Sequence, residues 1–114
     1  MAWEEFEISI SASNDKTRWD QLQGIWAAYK GLYKIGDTLS IMDIDRFTLE
    51  IRDSTYRSNE EFRFKPFLLR HNIIYNPITG DSTIIEKLTD DELITTLKES
   101  NINSTRYYFK KVNK

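Results

Sequence analysis

Cysteine is absent from the 114 residues. That excludes disulfides, thiolate metal sites and cysteine nucleophiles. Histidine is reduced to His71, and one imidazole with no cysteine or second histidine makes a poor metal site. It also forms no triad without a nucleophile placed beside it, so His71 is read as structural or solvent-facing. Charge of one sign is missing as well. The 16 basic and 18 acidic residues give a net charge of −2, which exerts no general pull on phosphate backbones, and no nucleic-acid partner is expected. No stretch approaches the roughly 18 apolar residues of a membrane span, so no transmembrane segment is expected. The start, MAWEEFEISI, lacks the basic region and apolar run of a secretory leader. As written the chain fits the cytoplasm; without disulfides it fits the periplasm or exterior equally if a leader was removed. No metal or other cofactor is expected.

What the chain does have is rings: three Trp, six Tyr and six Phe, 13% of the residues. At that density they favour strands and a packed or ligand-lined interior. The length fits a single domain, residues 1–114, large enough to bury roughly 65% of its unfolded surface without staples. Residues 3–11 (WEEFEISIS) alternate, with Phe6, Ile8 and Ile10 on one side, and read as a half-buried strand. Residues 1–14 are thus an extra N-terminal strand and loop. Ser13 or Asn14 can cap a short helix over 15–22, on which Trp19 and Leu22 share a face. From Gly24 onward eight strand candidates follow, at 24–33, 38–44, 47–52, 60–69, 72–76, 82–88, 93–98 and 105–112. Residues 54–59 are polar and read as a turn. Pro66 demands a bend, a bulge or an unpaired position within its strand. Short strands with turn signals every 8–12 residues indicate a sandwich or barrel. The expected fold is all-β, an antiparallel up-and-down barrel of about eight to nine strands with one short N-terminal helix.

The order of features resembles the calycin group, specifically the small bacterial lipocalin-like domains. The resemblance spans residues 16–112. It is carried by L-Q-G-I-W (Leu22 to Trp26) after a short helix, by E-K-L-T-D-D-E-L (Glu86 to Leu93), and by the last strand, Y-Y-F-K-K-V (Tyr107 to Val112). It implies that Gly24 opens the first strand at the closed end and that Trp26 packs across the barrel floor. A basic residue of the last strand, Lys111 or else Lys110, then lies over the indole. The family commonly has arginine at that place, and arginine supplies a planar fork that lysine lacks. Residues 3–11 lie outside the family pattern.

The resemblance also implies a non-catalytic binding protein that takes a small apolar or amphipathic ligand in the barrel mouth. Phe47, Phe62, Phe64, Tyr75 and Tyr107 are the residues expected to line it, from an aromatic set that also includes Phe67 and Phe109. The same rings would fill a solid core, and short strands with large inward side chains favour a small or absent cavity. The alternative is a protein-interaction module, an accessory or immunity-type protein binding through its outer surface, with Trp3 to Ser11 as the contact segment. Core packing is the simpler role for Trp3 and Trp19. No acid–base constellation is found, so no enzyme is expected. Asp43 with Asp45, and Asp90-Asp91-Glu92, are explained by turn chemistry. Glu50 and Arg52 are expected to pair with Arg63 and Lys65 across strands on the outer face. Asn103-Ser-Thr105 matches a glycosylation acceptor, a spacing common by chance.

Overall fold

The computed structural model describes residues 12–98 and 100–112. The extra segment 3–11, with Trp3, lies outside the described residues. Among the described residues, one helix, α1 (Ala12–Leu22), precedes ten strands: β1 (Gly24–Ile35), β2 (Thr38–Ile41), β3 (Thr48–Arg52), β4 (Thr55–Ser58), β5 (Lys65–Pro66), β6 (Leu68–Arg70), β7 (Ile73–Tyr75), β8 (Ser82–Leu88), β9 (Glu92–Lys98) and β10 (Asn103–Lys111). Nine strands run in the order β5-β4-β3-β1-β10-β9-β8-β7-β6, and β2 pairs with β1 off this path. All pairings are antiparallel.

The two ends of that order, β5 and β6, are halves of one run, Lys65 to Arg70. Its first half pairs with β4 and its second half with β7. Pro66 explains the division, since it has no amide to give the ladder. Phe67, the residue between, donates to the Ser54 carbonyl (2.9 Å). The sheet is therefore bent round into a nearly closed, up-and-down antiparallel barrel, an architecture compatible with the calycin fold.

β2 and β3 occupy one barrel position, interrupted at residues 42–47. Met42 donates to the Gly31 carbonyl and Ala28 donates to the Phe47 carbonyl, both at 2.9 Å. Four residues, Asp43 to Arg46, thus bulge out where β1 has only Tyr29 and Lys30. Asp43 accepts the Asp45 amide (3.1 Å), the local turn bond expected of an aspartate. Gly31 makes room: a Cβ there would sit 2.6 Å from Ile44 Cγ2.

Two stretches depart from the sequence reading. Residues 55–58, expected in a turn, form β4. The turn needs only Asp53 and Ser54, because Arg52 faces Thr55 and Asp53 adopts a φ of 55°. The Gln23 side chain clamps it, accepting the Asp53 amide (2.6 Å) and donating to its carbonyl (3.1 Å). Conversely, residues 60–64 of the expected strand 60–69 form a loop. The helix begins at Ala12 rather than 15, so Ser13 and Asn14 lie within it.

The core sits at the end where β1 begins. Leu22, Trp26, Ile51, Phe67, Ile85, Leu93 and Phe109 are buried together, with Trp19 packed against them. Trp19 and Leu22 come from the helix, which plugs that end.

Candidate functional site

The closed end is organised by Trp26, fully buried. It is the third residue of β1, directly opposite Lys111 of β10. Its indole N–H donates to the Leu22 carbonyl (2.8 Å), an otherwise open acceptor at the helix C-terminus. The Lys111 ammonium lies 4.6 Å from the centre of the indole system. It donates to the carbonyls of Gln21 (2.8 Å) and Gln23 (2.6 Å). One cation thus caps the helix end and covers the tryptophan face. Burial pushes the pKa of Lys111 down, partly opposed by the nearby Asp90 carboxylate. Gly24 runs beside this lysine: a Cβ added there would lie 3.5 Å from Lys111 Cδ. Lys110, the alternative cation, instead lies over Tyr29 on the outer face (5.8 Å). A lysine, with a single ammonium, satisfies both carbonyls at once.

Above this floor the barrel holds a cavity of about 800 Å³. The expectation of a small or absent cavity is thereby corrected. Part of the reason is the wall composition: Ser58, Thr83 and Thr95 occupy inward positions where larger side chains would have filled the interior. The apolar wall is aromatic. Phe47 stacks on Tyr107 with ring centres 5.1 Å apart, and both lie near Phe109. Tyr56 meets Phe67 edge-on at 6.1 Å. Asn76 is buried and fully engaged, donating to the Tyr56 hydroxyl (3.3 Å) and accepting the Ile78 amide (2.9 Å).

The open end is ringed by charge. Glu60 and Glu61 from the β4–β5 loop, Lys65, Asp81 from the start of the β8 hairpin, and Lys98 at the end of β9 all border the cavity. Lys65 pairs with Glu61, and its ammonium lies 5.0 Å from the Tyr56 ring centre. For Glu61, burial raises the pKa, but the bonds from Lys65 and Ser58 outweigh it and hold it below the usual carboxylate value. For Lys65, burial acts downward, and Glu61, Tyr56 and Asp81 together hold the pKa above the ordinary lysine value.

No protein-family model, curated protein or solved structure matches this chain. The structure by itself supports an antiparallel, nearly closed β-barrel compatible with a calycin-like fold.

Of the five expected lining residues, Phe47 and Tyr107 border the cavity. The other three do not. Phe62 is 96% exposed. Phe64 lies outside the barrel, its ring centre 5.1 Å from the Arg52 guanidinium carbon and 4.5 Å from that of Arg57. Both sit in the loop 59–64, where alternation along the chain no longer corresponds to two faces of a sheet. Tyr75 points out because its neighbour Ile74 points in. The outer charge pairs also differ from expectation: Glu50 bonds Arg52 (2.8 Å) and Arg57 (3.4 Å), while Lys65 turns to the rim. Tyr56, Ser58, Asn76 and Thr95 were missed as wall residues. Tyr56 stood in a run too polar to read as a strand, and β-branched Thr95 was a visible but weak signal.

Among the described residues, no group of three or more His, Asp or Glu side chains is arranged to hold a metal ion. His71 lies in the β6–β7 turn with a φ of 56°. No helix among them is long and apolar enough to cross a membrane.

Proposed function

We propose that this protein is a non-catalytic, lipocalin-like carrier that binds a small apolar or amphipathic molecule in the barrel. The observation that carries the reading is the cavity of about 800 Å³, within the roughly 300–1,000 Å³ of drug-sized ligand sites. Its aromatic depth and polar rim suit a molecule with one apolar and one wet end. Phe47, Tyr107, Phe109, Tyr56 and Phe67 are the contact residues. The test is titration with N-phenyl-1-naphthylamine, an uncharged dye whose emission rises in apolar surroundings. Saturable, one-to-one enhancement is expected, and Leu97→Trp, which fills the upper cavity, abolishes it. Non-saturable enhancement, or enhancement unchanged in Leu97→Trp, refutes the reading.

A second reading, a protein-interaction module, is favoured by the β1–β2 hairpin. β2 carries Leu39 and Ile41, the latter 82% exposed, and among the described residues no strand pairs with its outer edge. The register turns Thr38 and Ser40 toward β1, which leaves the Leu39 and Ile41 backbone groups facing away. The edge has neither proline nor charge, the usual devices that block strand addition. Its occupant would be an extended strand of a partner protein. Such a partner protects the Leu39 and Ile41 amides from hydrogen exchange while the dye still enters the barrel. A cavity ligand gives the reverse pattern.

A further inference from the structure

The cavity's depth and its rim carry different chemistry, and together they narrow the ligand class. The depth offers aromatic faces in two groups, Phe47 with Tyr107 and Phe109, and Tyr56 with Phe67. Ring faces carry negative electrostatic potential, so they accept other rings and attract cations. Between the aromatics and the mouth the polar lining is neutral: Ser58, Asn76, Thr83 and Thr95. Among the described residues, no arginine, lysine or histidine lines the cavity below the rim to receive an anionic head.

At the rim, Glu60, Glu61 and Asp81 stand against Lys65 and Lys98. Lys65 is already committed, held by Glu61 and resting over Tyr56. Asp81 accepts the Thr79 hydroxyl (2.9 Å) and shares the Lys65 cation with Glu61, so the rim's three carboxylates outnumber its two ammoniums. An entering head group thus meets a rim with one net negative charge, with Glu60 and Asp81 only partly offset by Lys65 and Lys98. A carboxylate would be stripped of water beside two like charges, whereas an ammonium would be stabilised by both.

We propose that the cavity selects a cationic amphiphile: an apolar, ring-bearing body in the barrel with an amine head at the mouth beside Glu60 and Asp81. This rests on the binding reading above and assigns the charge that reading leaves open. It separates this barrel from one built for fatty acids, which would need an excess of cations at the mouth, whereas here three carboxylates face two ammoniums.

Three molecules with one body and different heads test it: 6-phenylhexylamine, 6-phenylhexanol and 6-phenylhexanoate, titrated separately by calorimetry at pH 7 and low salt. One uncompensated charge at a partly wet rim gives about a tenfold advantage of amine over carboxylate, with the alcohol between. In Glu60→Gln/Asp81→Asn, two exposed changes that leave the core intact, the ratio falls to near one. In Glu61→Gln, which releases Lys65, carboxylate binding tightens. Carboxylate binding equal to or tighter than amine binding in the unmodified protein overturns the charge preference and leaves the carrier reading standing. If none of the three binds, the carrier reading fails, and the preference with it.

Discussion

Replacing Lys111 with methionine separates the floor architecture from ordinary surface chemistry. The ammonium makes two hydrogen bonds to helix-end carbonyls, at 2.8 and 2.6 Å, and covers the Trp26 indole at 4.6 Å. Hydrogen bonds to a charged group contribute about 1.5–3 kcal/mol each, and a partly desolvated cation–π contact about 0.5–2 kcal/mol. Methionine restores the apolar packing and removes the cost of burying an ammonium, whose pKa burial already lowers. It cannot satisfy the two carbonyls. The net loss is about 2–4 kcal/mol, a large share of the ~5–15 kcal/mol that holds a domain of this size. Urea unfolding followed by tryptophan emission measures it, and the melting temperature falls by roughly 10 °C. Lys110→Met is the control. Lys110 lies over the exposed Tyr29 ring at 5.8 Å and near the Glu92 carboxylate, both solvent-screened contacts, so its loss costs under about 0.5 kcal/mol. Lys111→Arg keeps the charge and both bonds and stays close to the unmodified protein. Equal effects of the Lys110 and Lys111 changes, or a Lys111→Met loss below about 0.5 kcal/mol, would refute the closed-end capping argument.

Gly31→Ala forces its new methyl within 2.6 Å of Ile44 Cγ2 and destabilises by about 1–3 kcal/mol as an overpacked site; adding Ile44→Ala recovers most of that in the same urea assay, and no recovery would point to backbone strain instead. Phe109→Ala truncates a buried ring of the core and costs about 3–5 kcal/mol, while Phe62→Ser, at a 96% exposed ring, leaves the urea midpoint unchanged. On the acid side, Glu61 is held below its ordinary 4.5 by Lys65 and Ser58 against the upward push of burial, and Glu92 by Lys87 and the Tyr29 hydroxyl. Their stabilisation is complete above pH 4.5 and is lost as pH falls through their lower folded values. Lys65, raised above 10.5, contributes below that value and is lost as pH rises through its folded pKa. Urea midpoints across pH should therefore show a plateau between these limits, with a shallower acid limb in Glu61→Gln; an identical limb means the Glu61–Lys65 pair adds nothing.

Much of the barrel was legible because its buried faces impose strict alternation. Residues 47–52, 82–88, 93–98 and 105–112 read as strands from the period-two pattern, and each has one face on the interior. The floor was legible for another reason. A tryptophan two residues into the first strand and a lysine near the end of the last must meet if those strands close the sheet antiparallel. Local pattern failed at the β4–β5 loop. Phe62 and Phe64 keep the alternation of a strand after the chain has left the sheet, and nothing in their spacing reveals that the hydrogen-bonding partner is gone. The same limit hid β4, whose neighbours Arg52 to Asn59 are polar because the outer face is wet.

The sequence by itself determined the class of fold, the helix that plugs one end, and the pairing of Trp26 with a basic residue of the last strand. The first two follow from short-range periodicity and from which side chains repel water; the third was implied by the resemblance to lipocalin-like domains. Only the tertiary structure decided where the barrel closes, at Pro66 and Phe67, and that its interior is open. Both depend on how far the sheet curls and how strands 65–70 and 38–52 are divided between neighbours. Curl and register join residues far apart in the chain, so no local count of ring sizes could distinguish a filled core from a cavity of about 800 Å³.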